Sequence, residues 1–447
     1  QLWALRGAAS GPLPDGVRMA IREHVRHLPA PTQALLERAA IVGREFSLAV
    51  AAAAAELDLA AAELQLAEGV RGGVLQEVGA GRYRFQHVLM SEALADELAP
   101  AARATTHRRA AEALERLAVA DEGALLTEVA FHYRRAGAAF AEQAIAAAQR
   151  AAAAAMRRLA FEDAAELLAA ARDDAAATTP ADLPRRIELG VRLGEAQLRA
   201  GRGEAGRSAC LEAAALARAA RDSERFAGAV LVYGAQVRPG VVDERLLGLL
   251  DEALAALPVG DGALRARLIG RLAATLQPCN LPARPIGLAL EAIAMARRLE
   301  DPALLLDVLV SGGSALMDYG DPAIRAGLHG ELVRLAAERA QPSLLFRGHA
   351  RLIFDHLELG ERAAVDDHLR QLGAAASAFR QPGYHWPVAL YRAMVALLEG
   401  RFADADLAAA EAAETVERGG DDVGRRCLAM HRFGAAWVRA DDEALDA

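Results

Sequence analysis

The sequence contains no lysine, and its basic side chains other than histidine are 51 arginines. A P-loop of the form G-x-x-x-x-G-K-[ST] is therefore excluded, because its phosphate-binding lysine is missing. Schiff-base chemistry is excluded too, since it needs a lysine amine. No other catalytic motif is present, so we predict that this chain is not an enzyme and assign no catalytic residue.

Cysteines and aromatic residues are scarce. Cys210, Cys279 and Cys427 lie far apart, so neither a disulfide framework nor a zinc site is expected. Aromatic residues make up only 4% of a chain that is 53% hydrophobic, and much of that fraction is alanine. Because alanine is the best helix former, the composition predicts many helices packed through small side chains.

Long apolar runs and excess positive charge are also missing. The most apolar region, residues 48–67, is interrupted by Glu56, Asp58 and Glu63, which excludes a membrane span. The formal net charge of −9 gives no support for direct nucleic-acid contact. With no signal peptide, a cytoplasmic location is expected.

One short stretch favours strands. Residues 74–78 predict a first strand, and Gly79 and Gly81 supply a turn. Residues 82–86 alternate polar and aromatic side chains, which predicts a second strand. Helices are predicted at residues 17–28, 33–42, 47–57, 58–69, 87–98 and 100–117, with Thr32 and Asp58 as N-caps and Gly43 as a helix end. A hairpin between such helices is typical of a winged helix.

Three runs of this segment resemble one family: LLERAAIVGREF (35–46), GRYRFQH (81–87) and HRRAAEALE (107–115). They are similar to the winged-helix segment that follows the ATPase core in bacterial signal-transduction ATPases with numerous domains, the STAND class. Many members of the class are LuxR-family transcriptional regulators, and others carry adenylate-cyclase or SARP-type domains. The resemblance implies an ATPase module before this region, with ATP and ADP bound there. We expect no cofactor in this chain itself.

The third predicted helix argues against DNA binding by the winged helix. Between residues 58 and 69 it carries Asp58, Glu63 and Glu68 and no arginine. Phosphates would repel such a helix, because nonspecific DNA affinity comes from cations. In the STAND class this domain is expected to pack on the ATPase.

His87 is the sharpest candidate from the resemblance. Related STAND proteins have a Met-His-Asp motif after the hairpin, and its histidine contacts the ADP phosphate. Gln86, His87 and Val88 look like the same position, although two of the three residues differ from that motif. The alternative is a histidine that caps the junction between hairpin and helix, and this reading is favoured about two to one because a single histidine is weak support for a site.

The rest of the chain predicts paired helices with a repeat of about 40 residues. Similar positions after helix ends recur at steps of 39 or 40: Asp222, Asp261, Asp301, Gln341, Gln381 and Asp421. These repeats resemble tetratricopeptide hairpins but are longer than the usual 34 residues or so. Stacked hairpins bury each other's apolar faces. The predicted fold is therefore all-α, a winged helix followed by a right-handed solenoid of tetratricopeptide-like hairpins.

Three groups of side chains, one aromatic, one of histidines and one basic, are candidates for a binding site. Tyr384, Trp386 and Tyr391 belong to the densest aromatic group and are candidate effector-binding residues, against an alternative of inter-repeat packing. A metal site is not predicted, because no ligand motif accompanies the histidines at 349, 356 and 368. The basic cluster of Arg103, His107, Arg108 and Arg109 is interpreted as a solvated helix face.

These observations give one functional prediction and one alternative. Residues 1–17 are expected to link a missing ATPase module to a winged helix at 18–120 and a solenoid at 121–447. The winged helix would control a nucleotide switch, and the concave face of the solenoid would bind an effector or protein partner. A homo-oligomer on activation is a further expectation. The alternative is a free-standing helical-repeat scaffold without a nucleotide switch.

Overall fold

The structure is a computed structural model that describes residues 15–118, 124–235, 242–317, 320–379 and 382–440. Helices dominate these ranges, and the prediction of an all-α, helical-repeat fold is confirmed. The chain divides into two compact units, Gln1–Tyr233 and Gly234–Ala447. Residues 1–14, which make up most of the predicted linker, lie outside the described ranges.

The first unit opens with six helices and three short strands. In chain order these elements are α1 (Asp15–Arg26), α2 (Ala30–Val42), β1 (Glu45–Ser47), α3 (Leu48–Ala55), α4 (Leu59–Arg71), β2 (Leu75–Gly79), β3 (Arg82–Phe85), α5 (Val88–Glu97) and α6 (Pro100–Leu117). The strands form an antiparallel sheet in the order β1-β3-β2. A helix, a strand, two helices and a hairpin therefore follow one another from α2 to β3.

The predicted hairpin forms, and Gly81 adopts the positive φ of 69° that its turn requires. Asp58 caps α4 as predicted, since its carboxylate accepts from the Ala61 N–H at 2.7 Å. Thr32 is not an N-cap, however. The helix α2 already begins at Ala30, and the buried Thr32 hydroxyl donates to the Glu68 carboxylate at 2.5 Å.

Paired helices make up the rest of the first unit. They are α7 (Ala124–Ala136), α8 (Ala141–Arg157), α9 (Phe161–Thr178), α10 (Leu183–Arg199), α11 (Gly203–Ala219) and α12 (Ser223–Tyr233). A single apolar core runs from Val25 to Ala209, and α6 packs on both α3 and α7. The compact units divide at Tyr233/Gly234, and the apolar core of the first unit includes described residues from both sides of the predicted boundary at 120/121.

The second unit continues the helical hairpins. Its helices are α13 (Glu244–Ala256), α14 (Ala263–Thr275), α15 (Ala283–Arg298), α16 (Pro302–Leu316), α17 (Pro322–Glu338), α18 (Pro342–Glu358), α19 (Arg362–Ser377), α20 (Trp386–Leu398), α21 (Phe402–Gly419) and α22 (Asp422–Arg439). Asp301, Gln341 and Asp421, which share the 40-residue spacing, are N-caps.

Backbone conformation follows the same repeat. Gly360, Gly400 and Ala440 have positive φ at steps of 40, at the turn after the first helix of a hairpin. Asp261 departs from the pattern, because Gly262 is the N-cap of α14 and the Asp261 carboxylate pairs with Arg298 at 2.6 Å. Gln381 lies outside the described residues.

Candidate ligand-binding surfaces

His87 lies exposed at the junction between β3 and α5. Its backbone is extended, with φ −126° and ψ 140°, and it forms the N-cap of α5 without a side-chain cap bond. Its carbonyl accepts from the Met90 N–H at 3.1 Å. The junction is thus capped by backbone alone, which leaves the imidazole facing solvent. The predicted contact with an ADP phosphate stays a prediction.

The acidic character of α4 has partly structural causes. Asp58 caps the helix, and Glu68 accepts from Thr32 in α2. The helix also continues two residues beyond its predicted end and so includes Arg71 in its last turn. Glu63 remains an exposed acid on this helix.

The predicted effector residues face three different groups of neighbours. Trp386 is 8% exposed, and its indole N–H donates to Asp421 at 2.9 Å. Tyr391 packs edge-on against Phe354, with ring centres 5.4 Å apart. Tyr384 stacks on Phe379, with ring centres 3.8 Å apart. Each ring therefore has a different partner, and the three do not form one aromatic floor.

A groove of about 230 Å³ in the first unit is the clearest candidate surface. It lies between α7, α8 and α9. Alanines form most of its floor, and Phe131 and Leu167 add larger apolar surface: the alanines are Ala130, Ala144, Ala148, Ala155, Ala170 and Ala171. The groove stays open because the alanine side chains are too small to fill the gap between the helices.

Charged side chains surround the groove. Arg134 of α7 pairs with Asp174 of α9 at 3.1 Å. Arg158, Asp163 and Glu166 also line it and form no ion pair with any described residue. Both signs of charge are therefore available to a ligand beside an apolar floor.

A second groove, of about 320 Å³, lies in the second unit between α19, α20 and α21. Its arginines already have carboxylate partners. Arg362 pairs with Glu399 at 2.5 Å, and Arg392 pairs with Glu411 at 2.9 Å. This groove offers fewer unpaired charges than the groove of the first unit.

A buried charge network lies where α17 packs on α18. Asp355 is fully buried and meets Arg325 at 3.1 Å and His329 Nδ1 at 2.5 Å. Arg325 also reaches Glu358 at 2.6 Å. Burial is the main reason that the pKa of His329 is lowered. Charges removed from water in this way are stable only with close partners. Sequence spacing alone did not reveal the network, because its members come from two different helices.

Several other histidines are buried or half-buried. His349 Nδ1 lies 3.2 Å from His368 Nδ1, and His356 stacks on His368. Burial lowers the pKa of His349 to about 4. The interpretation of His107 as part of a solvated face is wrong, because it is 7% exposed and contacts His132 Nδ1 at 2.8 Å.

In the described ranges, no three or more histidine, cysteine, aspartate or glutamate side chains are arranged to hold a metal ion. Nor does any helix in those ranges have the length and apolar character needed to cross a membrane. Cys210 is buried in α11, and burial raises the pKa of its thiol to about 12.

No model of a known protein family matches this chain, and no curated protein matches it either. Among solved structures, the apo form of RapI is 10% identical and covers 73% of this chain and 90% of its own, with a TM-score of 0.50. A STAND protein with a tetratricopeptide repeat sensor from Pyrococcus horikoshii is 12% identical, covers 95% of this chain and 68% of its own, and has a TM-score of 0.46. A Rap protein complexed with competence and sporulation factor is 12% identical, covers 93% of this chain and 100% of its own, and has a TM-score of 0.46. The likeness to RapI concerns the fold alone, and it agrees with helical repeats.

Proposed function

We propose that this chain is a regulatory region whose helical repeats bind a protein or peptide effector. The groove between α7, α8 and α9 carries this proposal. Its volume of about 230 Å³ is below the roughly 300–1,000 Å³ of small-molecule sites. An extended peptide lying along the groove fits better, with an apolar side chain on the alanine floor and polar groups at Arg158 and Glu166.

A groove-filling substitution tests this proposal. Peptides are first selected from an unbiased library on the full chain. We expect Ala170→Leu, in the groove, to weaken their binding about tenfold or more, because the larger side chain occupies space that the peptide would fill. A tenfold loss of affinity corresponds to about 1.4 kcal/mol of binding free energy. Ala177→Leu is the control, since Ala177 is exposed on the same helix. Equal affinity for both variants, or no selected peptide, contradicts the proposal.

We further propose that this region regulates a STAND-type nucleotide switch, in a cytoplasmic transcriptional regulator. The helix-and-hairpin order of the first unit and the exposed His87 support this more specific role. The gene sequence upstream of the codon for Gln1 tests it. A G-x-x-x-x-G-K-[ST] motif there supports the switch, whereas a start codon immediately upstream favours the free-standing scaffold.

His87 offers a second test in the protein that includes such an ATPase module. We expect His87→Ala to change the retention of ADP, because the imidazole would no longer donate to its phosphate. His27→Ala is the matched control, since His27 is also an exposed histidine of this segment. Nucleotide exchange unaltered by His87→Ala would remove His87 from the site.

A further inference from the structure

Three arginines of the second unit lie close enough to interact electrostatically, and none of them has a carboxylate partner among the described residues. They are Arg271 on α14 and Arg347 and Arg351 on α18. Arg267 of α14, by contrast, pairs with Asp307 at 3.1 Å. Asp355, the nearest acid on α18, is already occupied by Arg325 and His329. Asp307 attracts Arg271 and Asp355 attracts Arg351, but neither carboxylate forms an ion pair with these described arginines.

The repeat brings the three arginines to one face of the helices. Arg271, Ser311 and Arg351 are spaced by 40 residues and stand at matching positions of α14, α16 and α18. Arg351 Nη2 donates to the Val310 carbonyl at 2.9 Å and to the Ser314 hydroxyl, which ties α18 to α16. Ser311 lies against Gly270 of α14, where an added Cβ would meet its hydroxyl at 2.7 Å.

Two of these guanidinium groups have buried nitrogens without a hydrogen-bond partner. They are Nε of Arg271 and Nη1 of Arg351, and the Arg351 residue is only 9% exposed. Burial lowers the pKa of both groups, and the positive charge of Arg347 lowers each of them further. A buried donor without a partner costs free energy, and an acceptor placed at this face would recover that cost.

Solvent can reach the same face through Arg347, which is exposed. Tyr384 and Tyr391 border it, because Tyr384 interacts electrostatically with Arg347 and Tyr391 with Arg351. These tyrosines are two of the three residues that the sequence predicts for effector binding. The edge of the Phe346 ring packs against Tyr384, with centres 5.2 Å apart, and adds apolar surface beside the cations.

We propose that Arg271, Arg347 and Arg351 form an oxyanion-binding subsite that takes a carboxylate or phosphate group of the effector. A planar guanidinium binds either group through parallel N–H bonds, and unpaired arginines gain the most from such a partner. The subsite rests on the proposed effector-binding function. It lies in a different unit from the groove between α7, α8 and α9.

Titration of the full chain with inorganic phosphate and, separately, with citrate tests the subsite at constant ionic strength. We expect saturable binding of at least one probe, and Arg347→Gln should weaken it about tenfold. Arg347 is the residue to change because it forms no ion pair with a described residue, so its loss spares the fold. Arg334→Gln is the control, since Arg334 is exposed and pairs with Glu338 only.

The two probes distinguish the source of the anion. Binding of phosphate alone points to a phosphorylated ligand, and binding of citrate alone points to a carboxylate. Absence of saturable binding, or equal affinity in Arg347→Gln and the wild type, overturns the subsite. The peptide selection on the first unit uses neither probe nor these residues, so each proposal can fail without the other.

Discussion

Asp355 is the residue on which the buried charges of the second unit depend. It faces the Arg325 guanidinium and the His329 imidazole, and all three residues are at most 1% exposed. Removing the Asp355 carboxylate leaves the buried Arg325 guanidinium with only the half-exposed Glu358 as its ion-pair partner, which costs more than the loss of a surface pair.

We expect Asp355→Asn to lower the free energy of unfolding of the second unit by about 3–5 kcal/mol, because Arg325 and His329 lose their carboxylate. Urea denaturation measures the effect. Asp366→Asn removes the exposed partner of Arg362 and should cost less than about 1 kcal/mol. Equal losses in the two variants would show that burial does not set the strength of the Asp355 contacts.

The buried histidines predict a pH dependence. Burial lowers the pKa of His329, His349 and His368 below the unfolded value near 6.5. Between the two values the unfolded chain binds more protons than the native chain, so stability falls as the pH decreases. We expect a lower urea midpoint at about pH 5 than at about pH 7.

The double variant His349→Gln with His368→Gln should flatten this dependence, because two of the groups no longer titrate. His27→Gln, at an exposed position, should leave the slope unchanged. A midpoint that stays constant across this range in the wild type would contradict the assigned direction of the pKa shifts.

At the scale of elements, glycines allow neighbouring helices to approach closely. In α10, a Cβ added at Gly194 would lie 2.4 Å from Cys210 Sγ and 3.0 Å from the Gly206 carbonyl of α11. Gly194→Ala should therefore destabilise the first unit by about 1–3 kcal/mol, as overpacking does. Gly228→Ala in α12 meets nothing within 4 Å and should be neutral or stabilising. Thermal denaturation of both variants decides the matter.

Elements with a strong local pattern could be predicted from the sequence. The hairpin, the Asp58 cap and the bounds of α6 follow from turn glycines, capping chemistry and periodicity. The strand β1 was missed because it has three residues and one buried apolar side chain, Phe46. Its pairing with β3 depends on contacts such as Glu45 with Arg82 at 2.9 Å, which join residues far apart in sequence.

The candidate site was harder to predict than the fold. The aromatic residues at 384, 386 and 391 form a dense group in sequence, but each packs on a different neighbour. The unpaired arginines carry no motif, and they are recognisable only once the partners of Arg267 and Asp355 are known. Pairing between helices decides which charges remain free, and a single sequence does not specify it.

At the scale of the whole molecule, the first unit joins the hairpin segment to the first helical repeats through one core. A fragment of residues 1–120 would expose the face of α6 that packs on α7. We expect it to lack the cooperative urea transition shown by a fragment of residues 1–233. Transitions of equal midpoint and cooperativity in the two fragments would show that the hairpin segment folds independently.

Hydrogen–deuterium exchange of the full chain, with and without a library-selected peptide, tests the central claim most directly. The proposed binding in the groove predicts slower exchange in α7 and α9 and little change in the helices that do not line it. Slower exchange confined to other helices, with α7 and α9 unchanged, would contradict the account.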